Sequence, residues 1–202
     1  MTNIIEFPLQ KPPSGLKRVK KSSSIELRYT NQMDLFSQES PENNIYVMPS
    51  SLSPFEQALM LDDRNDNTAK DAYLNAVNLK DCASDAYCNL GILEYESGNT
   101  IKAIDSFTKS LKNDPRHFES HYNLANLYSE LGNLPLAKVH YEFARELRPD
   151  FPDICFNLGL VYAMTKDFKS ALKTLSEYME LVPAEEAANA AKLIESIRKL
   201  TG

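Results

Sequence analysis

Across 202 residues the chain has only three cysteines, three histidines and six glycines. Cys82, Cys88 and Cys155 are odd in number and no two form a C-x-x-C pair, which argues against a disulfide framework or a zinc site. Each falls on an expected helix or its edge, where cysteine acts as a small apolar residue. A reducing cytoplasm is the simplest home for such a chain. His117 and His121 stand four apart, a spacing that suits a metal, but no third ligand lies beside them and His121 falls on a helix-packing position. The chain also lacks a Ser-His-Asp order, a phosphate loop and a dinucleotide fingerprint, and nothing basic neighbours Cys88 to activate its thiol. No catalytic residue, metal or cofactor is expected, and a metal- or thiol-dependent enzyme is the weakest functional reading. There is no run of about 18 apolar residues, so no membrane span is expected. The opening Met1-Thr2-Asn3-Ile4-Ile5-Glu6 has no basic region followed by an apolar core, so no secretory signal is expected either.

Charge is present in both signs but unevenly spread. The net value is −6, yet residues 1–30 carry +4 and the remainder −10. A basic arm is joined to an acidic body. The arm, residues 1–52, holds five of the prolines and the run Ser22-Ser23-Ser24, and shows no sustained helical period, so it is read as extended or disordered. Within it Ile25, Leu27 and Tyr29 alternate with polar residues as a short strand would. The run Lys17-Arg18-Val19-Lys20-Lys21 has no aromatic residue interleaved, and the acidic body opposes wrapping on DNA, so direct nucleic-acid binding is disfavoured.

What the chain has in strength is a period. Asn89-Leu90-Gly91, Asn123-Leu124-Ala125 and Asn157-Leu158-Gly159 recur every 34 residues, and Ala103, Ala137 and Ala171 keep the same phase, as do Pro115, Pro149 and Pro183. Such spacing marks a stack of helical hairpins, none able to bury its apolar face alone. In the clearest copy, helix A runs from about Ser84, its N-cap, to Ser97, and Gly98-Asn99 makes the turn. Helix B then runs from Thr100 to about Asn113, before Asp114-Pro115 ends it. Small residues recur where two helices cross and large ones where the next hairpin fills space. Residues 53–81 read as a worn first copy: Phe55, Ala58 and Leu61, then Ala69, Tyr73 and Ala76, with Asp81 in place of the proline. Residues 184–200 carry Ala187, Ala190, Ala191, Ile194 and Ile197 on one stripe, a final capping helix.

This pattern resembles the tetratricopeptide repeat (TPR), with an aromatic, Leu-Gly, Tyr, Ala, Phe and Pro at fixed offsets. The order of parts is similar to that of bacterial repeat proteins in which the array follows a variable N-terminal region. The resemblance implies an all-α fold: a right-handed superhelical stack of helix-turn-helix repeats at about 53–81, 84–115, 118–149 and 152–183, with a C-terminal capping helix and an extended N-terminal arm. It also implies that the A helices line a concave groove. The facing positions are Asp85, Cys88, Asn89, Ile92, Tyr95 and Glu96; then Glu119, Tyr122, Asn123, Asn126 and Glu130; then Asp153, Phe156, Asn157 and Leu160. Asn89, Asn123 and Asn157 form a ladder whose carboxamides can bond to both the N–H and the C=O of an extended peptide. No Lys or Arg stands at these positions and several acidic residues do. The expected ligand is therefore an extended, basic, partly apolar peptide. The chain's own arm fits that description, and part of residues 15–36 is expected in or near the groove.

A second function stays open. Gln32-Met33-Asp34-Leu35-Phe36 resembles the short motif by which bacterial proteins dock on the DNA polymerase sliding clamp, and all five positions match. It implies a replication or repair factor tethered through Leu35 and Phe36. The competing reading of the same residues is that they pack on the chain's own helices. The favoured function is a cytoplasmic, non-catalytic scaffold that binds a peptide or protein in its groove.

Overall fold

A computed structural model describes residues 15–20 and 52–201. Among the described residues there are helices α1 (Pro54–Asp63), α2 (Ala69–Asn78), α3 (Ala83–Glu96), α4 (Thr100–Asn113), α5 (Phe118–Glu130), α6 (Leu134–Leu147), α7 (Pro152–Met164), α8 (Phe168–Leu181) and α9 (Ala184–Thr201), and no strand. The all-α repeat architecture expected from the sequence is what these residues form. The expected strand at Ile25–Tyr29 and the pentapeptide Gln32–Phe36 lie outside the described residues. The chain divides into two compact units, one of residues 18–20 and 52–114 and one of residues 15–17 and 115–201.

In the first unit α1 pairs with α2, α2 with α3, and α3 with α4. The α1 start is fixed by a capping box: the Ser53 hydroxyl accepts the Glu56 N–H, the Glu56 carboxylate accepts the Ser53 N–H, and Pro54 supplies a preset first turn. The Asp81 carboxylate accepts the Phe55 N–H at 2.8 Å, tying the end of the first hairpin back to its beginning. Phe55, Ala58, Tyr73, Ala76, Ala86 and Leu90 form the core. One sequence expectation fails here. Ser84 is not an N-cap: α3 begins at Ala83 behind Cys82, which holds a left-handed backbone (φ 47°) and makes no side-chain cap. The chain turns sharply at Lys80–Cys82, and the helix starts as soon as that turn is complete.

In the second unit α5 pairs with α6, α6 with α7, α7 with α8, and α8 with α9. Its core joins Tyr122, Ala125, Tyr141, Ile154, Leu158 and Leu175 to Ala190, Ile194 and Ile197 of the last helix. His117 caps α5, its Nδ1 accepting the Ser120 N–H at 3.2 Å. Asp167 caps α8 through the Ser170 N–H.

Within each repeat the small residue of helix A is set by what helix B places against it. A Cβ on Gly91 would stand 2.7 Å from the Phe107 ring, and one on Gly159 would stand 2.7 Å from the Leu175 side chain. The hairpin turns repeat one device. In each, the second residue past the helix C-cap donates its N–H to a carbonyl five residues back: Asn99 to Glu94, Asn133 to Tyr128 and Asp167 to Tyr162. The residue between is left-handed, Gly98 (φ 79°), Gly132 (φ 74°) and Lys166 (φ 63°).

Candidate functional site

Each unit carries an asparagine that holds a peptide group of the segment 15–20. In the first unit Asn89 is fully buried. Its Oδ1 accepts the Val19 N–H at 2.9 Å and its Nδ2 donates to the Val19 carbonyl at 2.8 Å. The same Nδ2 donates to the Tyr73 hydroxyl at 3.1 Å, and that hydroxyl donates to the Asp62 carboxylate at 2.9 Å. The Arg18 guanidinium closes the network. Its Nη1 donates to Asp62 and its Nη2 donates to Glu96 at 2.6 Å. Asp62 is buried whereas the Glu96 side chain is 53% exposed. Burial pulls the Arg18 pKa down, but the hydrogen bond to Glu96 and the charge of Asp62 outweigh it, and the net shift is upward. Burial, then the Asp62 charge, pushes the Tyr73 phenol far up, so it serves only as a neutral donor and acceptor.

In the second unit Asn123, also fully buried, repeats the clamp. The Lys17 N–H donates to its Oδ1 at 2.7 Å and its Nδ2 donates to the Lys17 carbonyl at 3.0 Å. The Lys17 ammonium lies over the Phe151 ring, 3.8 Å from its centroid, and within 5.7 Å of that of Phe118. Its pKa is lowered by burial first and by Arg148 second, against the pull of Glu119 and Asp153.

Asn157, the third residue in this phase, does something else. Its Nδ2 reaches the Oδ1 of Asn126 at 3.4 Å, and that oxygen also accepts the Tyr141 hydroxyl. Among the described residues the Asn157 Oδ1 and the Asn126 Nδ2 are buried without a protein partner.

The other positions expected to face a ligand divide by exposure. Glu96 and Glu130 are exposed; Asp85, Tyr95, Glu119, Asp153, Phe156 and Leu160 are half-buried; Cys88, Ile92 and Tyr122 are buried. Tyr122 packs among Phe118, Tyr141 and Phe151 as part of the core. Phe156 lies against Tyr178 with ring centroids 5.1 Å apart. The Cys88 thiol is fully buried rather than presented. His121 pairs with His140 rather than His117: the two Nδ1 atoms are 3.0 Å apart and the His121 Nε2 meets the Pro115 carbonyl at 3.1 Å. Since that carbonyl only accepts, His121 carries its proton on Nε2 and His140 donates from Nδ1. Among the described residues no three His, Cys, Asp or Glu side chains gather closely enough to hold a metal, and no helix is long and apolar enough to cross a membrane.

Sequence reasoning missed Asp62, Tyr73, Phe118 and Phe151. For Asp62 a signal existed, because Asp62, Glu96 and Glu130 are spaced by the same 34 residues.

Comparison with known proteins fits this geometry. Residues 84–117, 106–138 and 123–186 each match a family model described as tetratricopeptide repeat. The chain belongs to the tetratricopeptide repeat family, which is generally a non-catalytic interaction module. Among curated proteins, anaphase-promoting complex subunit 3 of Schizosaccharomyces pombe is 32% identical over 79 residues. That match covers 39% of this chain but only 11% of the relative's length. Among solved structures, a tetratricopeptide repeat protein from Parabacteroides merdae superposes with a TM-score of 0.63 at 21% identity, covering 72% of this chain and 59% of that one. MamA gives a TM-score of 0.58 at 18% identity, covering 70% and 92%. The first TPR domain of Spaghetti (RPAP3), solved bound to the HSP90 peptide SRMEEVD, gives 0.53 at 20% identity, covering 58% and 92%.

Proposed function

We propose that this chain is a non-catalytic, cytoplasmic scaffold, with a TPR domain over residues 53–202 that binds extended basic peptides by their backbone. Residues 1–52 are its arm, and the arm's own residues 15–20 are one such peptide. The observation that carries the reading is the two-point carboxamide clamp. Asn89 takes both polar groups of Val19, and Asn123 does the same for Lys17. A side-chain amide that pairs both the N–H and the C=O of one residue recognises extended main chain, whatever its side chains. The chemistry around the clamps sets the charge of the ligand: Asp62 and Glu96 beside Asn89, and Glu119 and Asp153 close enough to act on Lys17. This is opposite in sign to the acidic peptide seated on the Spaghetti domain.

Native-state amide exchange of the full chain tests the reading. The Lys17 and Val19 amides are expected to exchange slowly, Asn123→Ala to release Lys17, and Asn89→Ala to release Val19, each at least tenfold faster. Fast exchange of both amides in the unmodified protein would overturn it.

A further inference from the structure

The network at Asn89 goes beyond holding a backbone, because it also discriminates a side chain. Asp62 at the end of α1 and Glu96 at the end of α3 receive two different nitrogens of one guanidinium. A planar fork with fixed divergence satisfies two carboxylates on separate helices at once. A lysine ammonium is a point charge on a flexible stem and reaches one of them well. Asp62 is buried and its remaining bond comes from Tyr73, itself fully buried. A carboxylate so placed is left uncompensated without a cation against it, so the subsite selects strongly for one. The Tyr73 hydroxyl then passes the constraint to Asn89, which fixes the following residue's main chain, while that residue's own side chain, Val19, is buried at 7% exposure. Arg18, Asp62, Tyr73, Asn89 and Val19 thus make one closed circuit in which an arginine side chain and the next peptide group are read together.

We propose that Asp62, Tyr73, Asn89 and Glu96 form an arginine-reading subsite for an Arg followed by a small apolar residue, and that the chain's own Arg18-Val19 is its tethered occupant. This rests on the peptide-binding reading above and adds to it the identity of the side chain recognised. Joined to the domain through residues 21–51, the occupant has an effective concentration on the order of millimolar. An outside peptide therefore meets a site that is mostly filled, and its apparent affinity falls by the fraction left open. The subsite is consequently silent toward weak ligands until Arg18 is removed or outcompeted.

The test uses the full chain and a fluorescent capped peptide with the sequence of residues 15–20, Gly-Leu-Lys-Arg-Val-Lys, followed by anisotropy. Arg18→Ala is expected to bind the peptide at least tenfold more tightly than the unmodified chain. On that variant, a peptide with lysine in place of arginine is expected to bind at least tenfold more weakly, and Glu96→Gln to weaken the arginine peptide several-fold. Equal affinity for the arginine and lysine peptides overturns the arginine subsite and leaves backbone recognition standing. Failure of both peptides to bind overturns the two together. Because Arg18→Ala leaves Asp62 without its cation and could unfold the first hairpin, the unmodified chain provides a second readout. With ¹⁵N-labelled arginine, the Arg18 Nη protons are expected to exchange slowly and to lose that protection in Glu96→Gln. Fast Nη exchange in the unmodified chain counts against the proposal independently.

Discussion

Lys166 holds a left-handed backbone at the turn position that glycine fills in the two preceding hairpins. A Cβ in that region costs on the order of 1 kcal/mol, and the hydrogen bond across the turn, Asp167 N–H to the Tyr162 carbonyl, is formed regardless. Lys166→Gly is therefore expected to stabilise the protein by about 0.5–1 kcal/mol, read as a higher urea midpoint with an unchanged slope. His140 makes the opposite kind of prediction. Burial, then the nearby His121, lowers its pKa to about 4 from the ordinary 6.5. It lies against the Tyr128 ring as well as His121. Above pH 6.5 the ring is neutral folded or unfolded and its contribution is complete. As pH falls from 6.5 toward 4 the unfolded chain takes the proton and the folded one does not, so stability is lost across that window. The shift corresponds to at most about 3 kcal/mol, less after screening of this half-exposed ring. Urea midpoints at pH 7 and pH 4.5 are expected to differ more for the unmodified chain than for His140→Gln. Both groups sit in repeats whose phase is plain in the sequence, yet neither property was legible there. The turn register tells which residue is left-handed only after the residue types are aligned, and the His121–His140 pair joins two helices.

At the scale of the helix, the sequence was most legible where one residue type has one physical use. Gly98-Asn99 as a stop and Thr100–Asn113 as a helix are observed as read. It was least legible in the first hairpin, where the repeat pattern has worn away. There Phe55 stands in the phase of Asn89, and Asp81 stands in the phase of the proline, its carboxylate capping the start of α1. Asp62 escaped notice for the same reason, and Tyr73 was read only as a helix position of the worn copy: their neighbours no longer announce the phase that puts them beside Glu96 and Asn89. The Gly91 contact was legible as a close crossing, and the structure gives its severity. Gly91→Ala would drive a methyl group into the Phe107 ring at 2.7–3.0 Å. It is expected to destabilise the protein by about 1–3 kcal/mol, measured by thermal or urea unfolding. The third repeat shows how the crossing tolerates more: Ala125 takes the glycine's place and is itself fully buried.

At the scale of the whole molecule, the basic first 30 residues and the acidic remainder make attraction between arm and body a long-range effect that salt removes. The asparagine clamps carry no net charge. Protection of the Val19 amide is therefore expected to fall less than tenfold between 0.1 and 1 M salt. A larger fall would assign docking to bulk charge rather than to the carboxamide. The same scale shows that three asparagines in identical phase have unequal thermodynamic roles. Asn89 and Asn123 each satisfy both polar groups, and replacing either with leucine leaves a peptide group of the arm unpaired. Asn157 keeps an acceptor buried without a donor among the described residues, and an unmet buried polar atom costs on the order of 1–3 kcal/mol. Asn157→Leu is accordingly expected to raise the melting temperature, where Asn89→Leu lowers it. If so, the fold carries at Asn157 a polar atom without which it would be more durable.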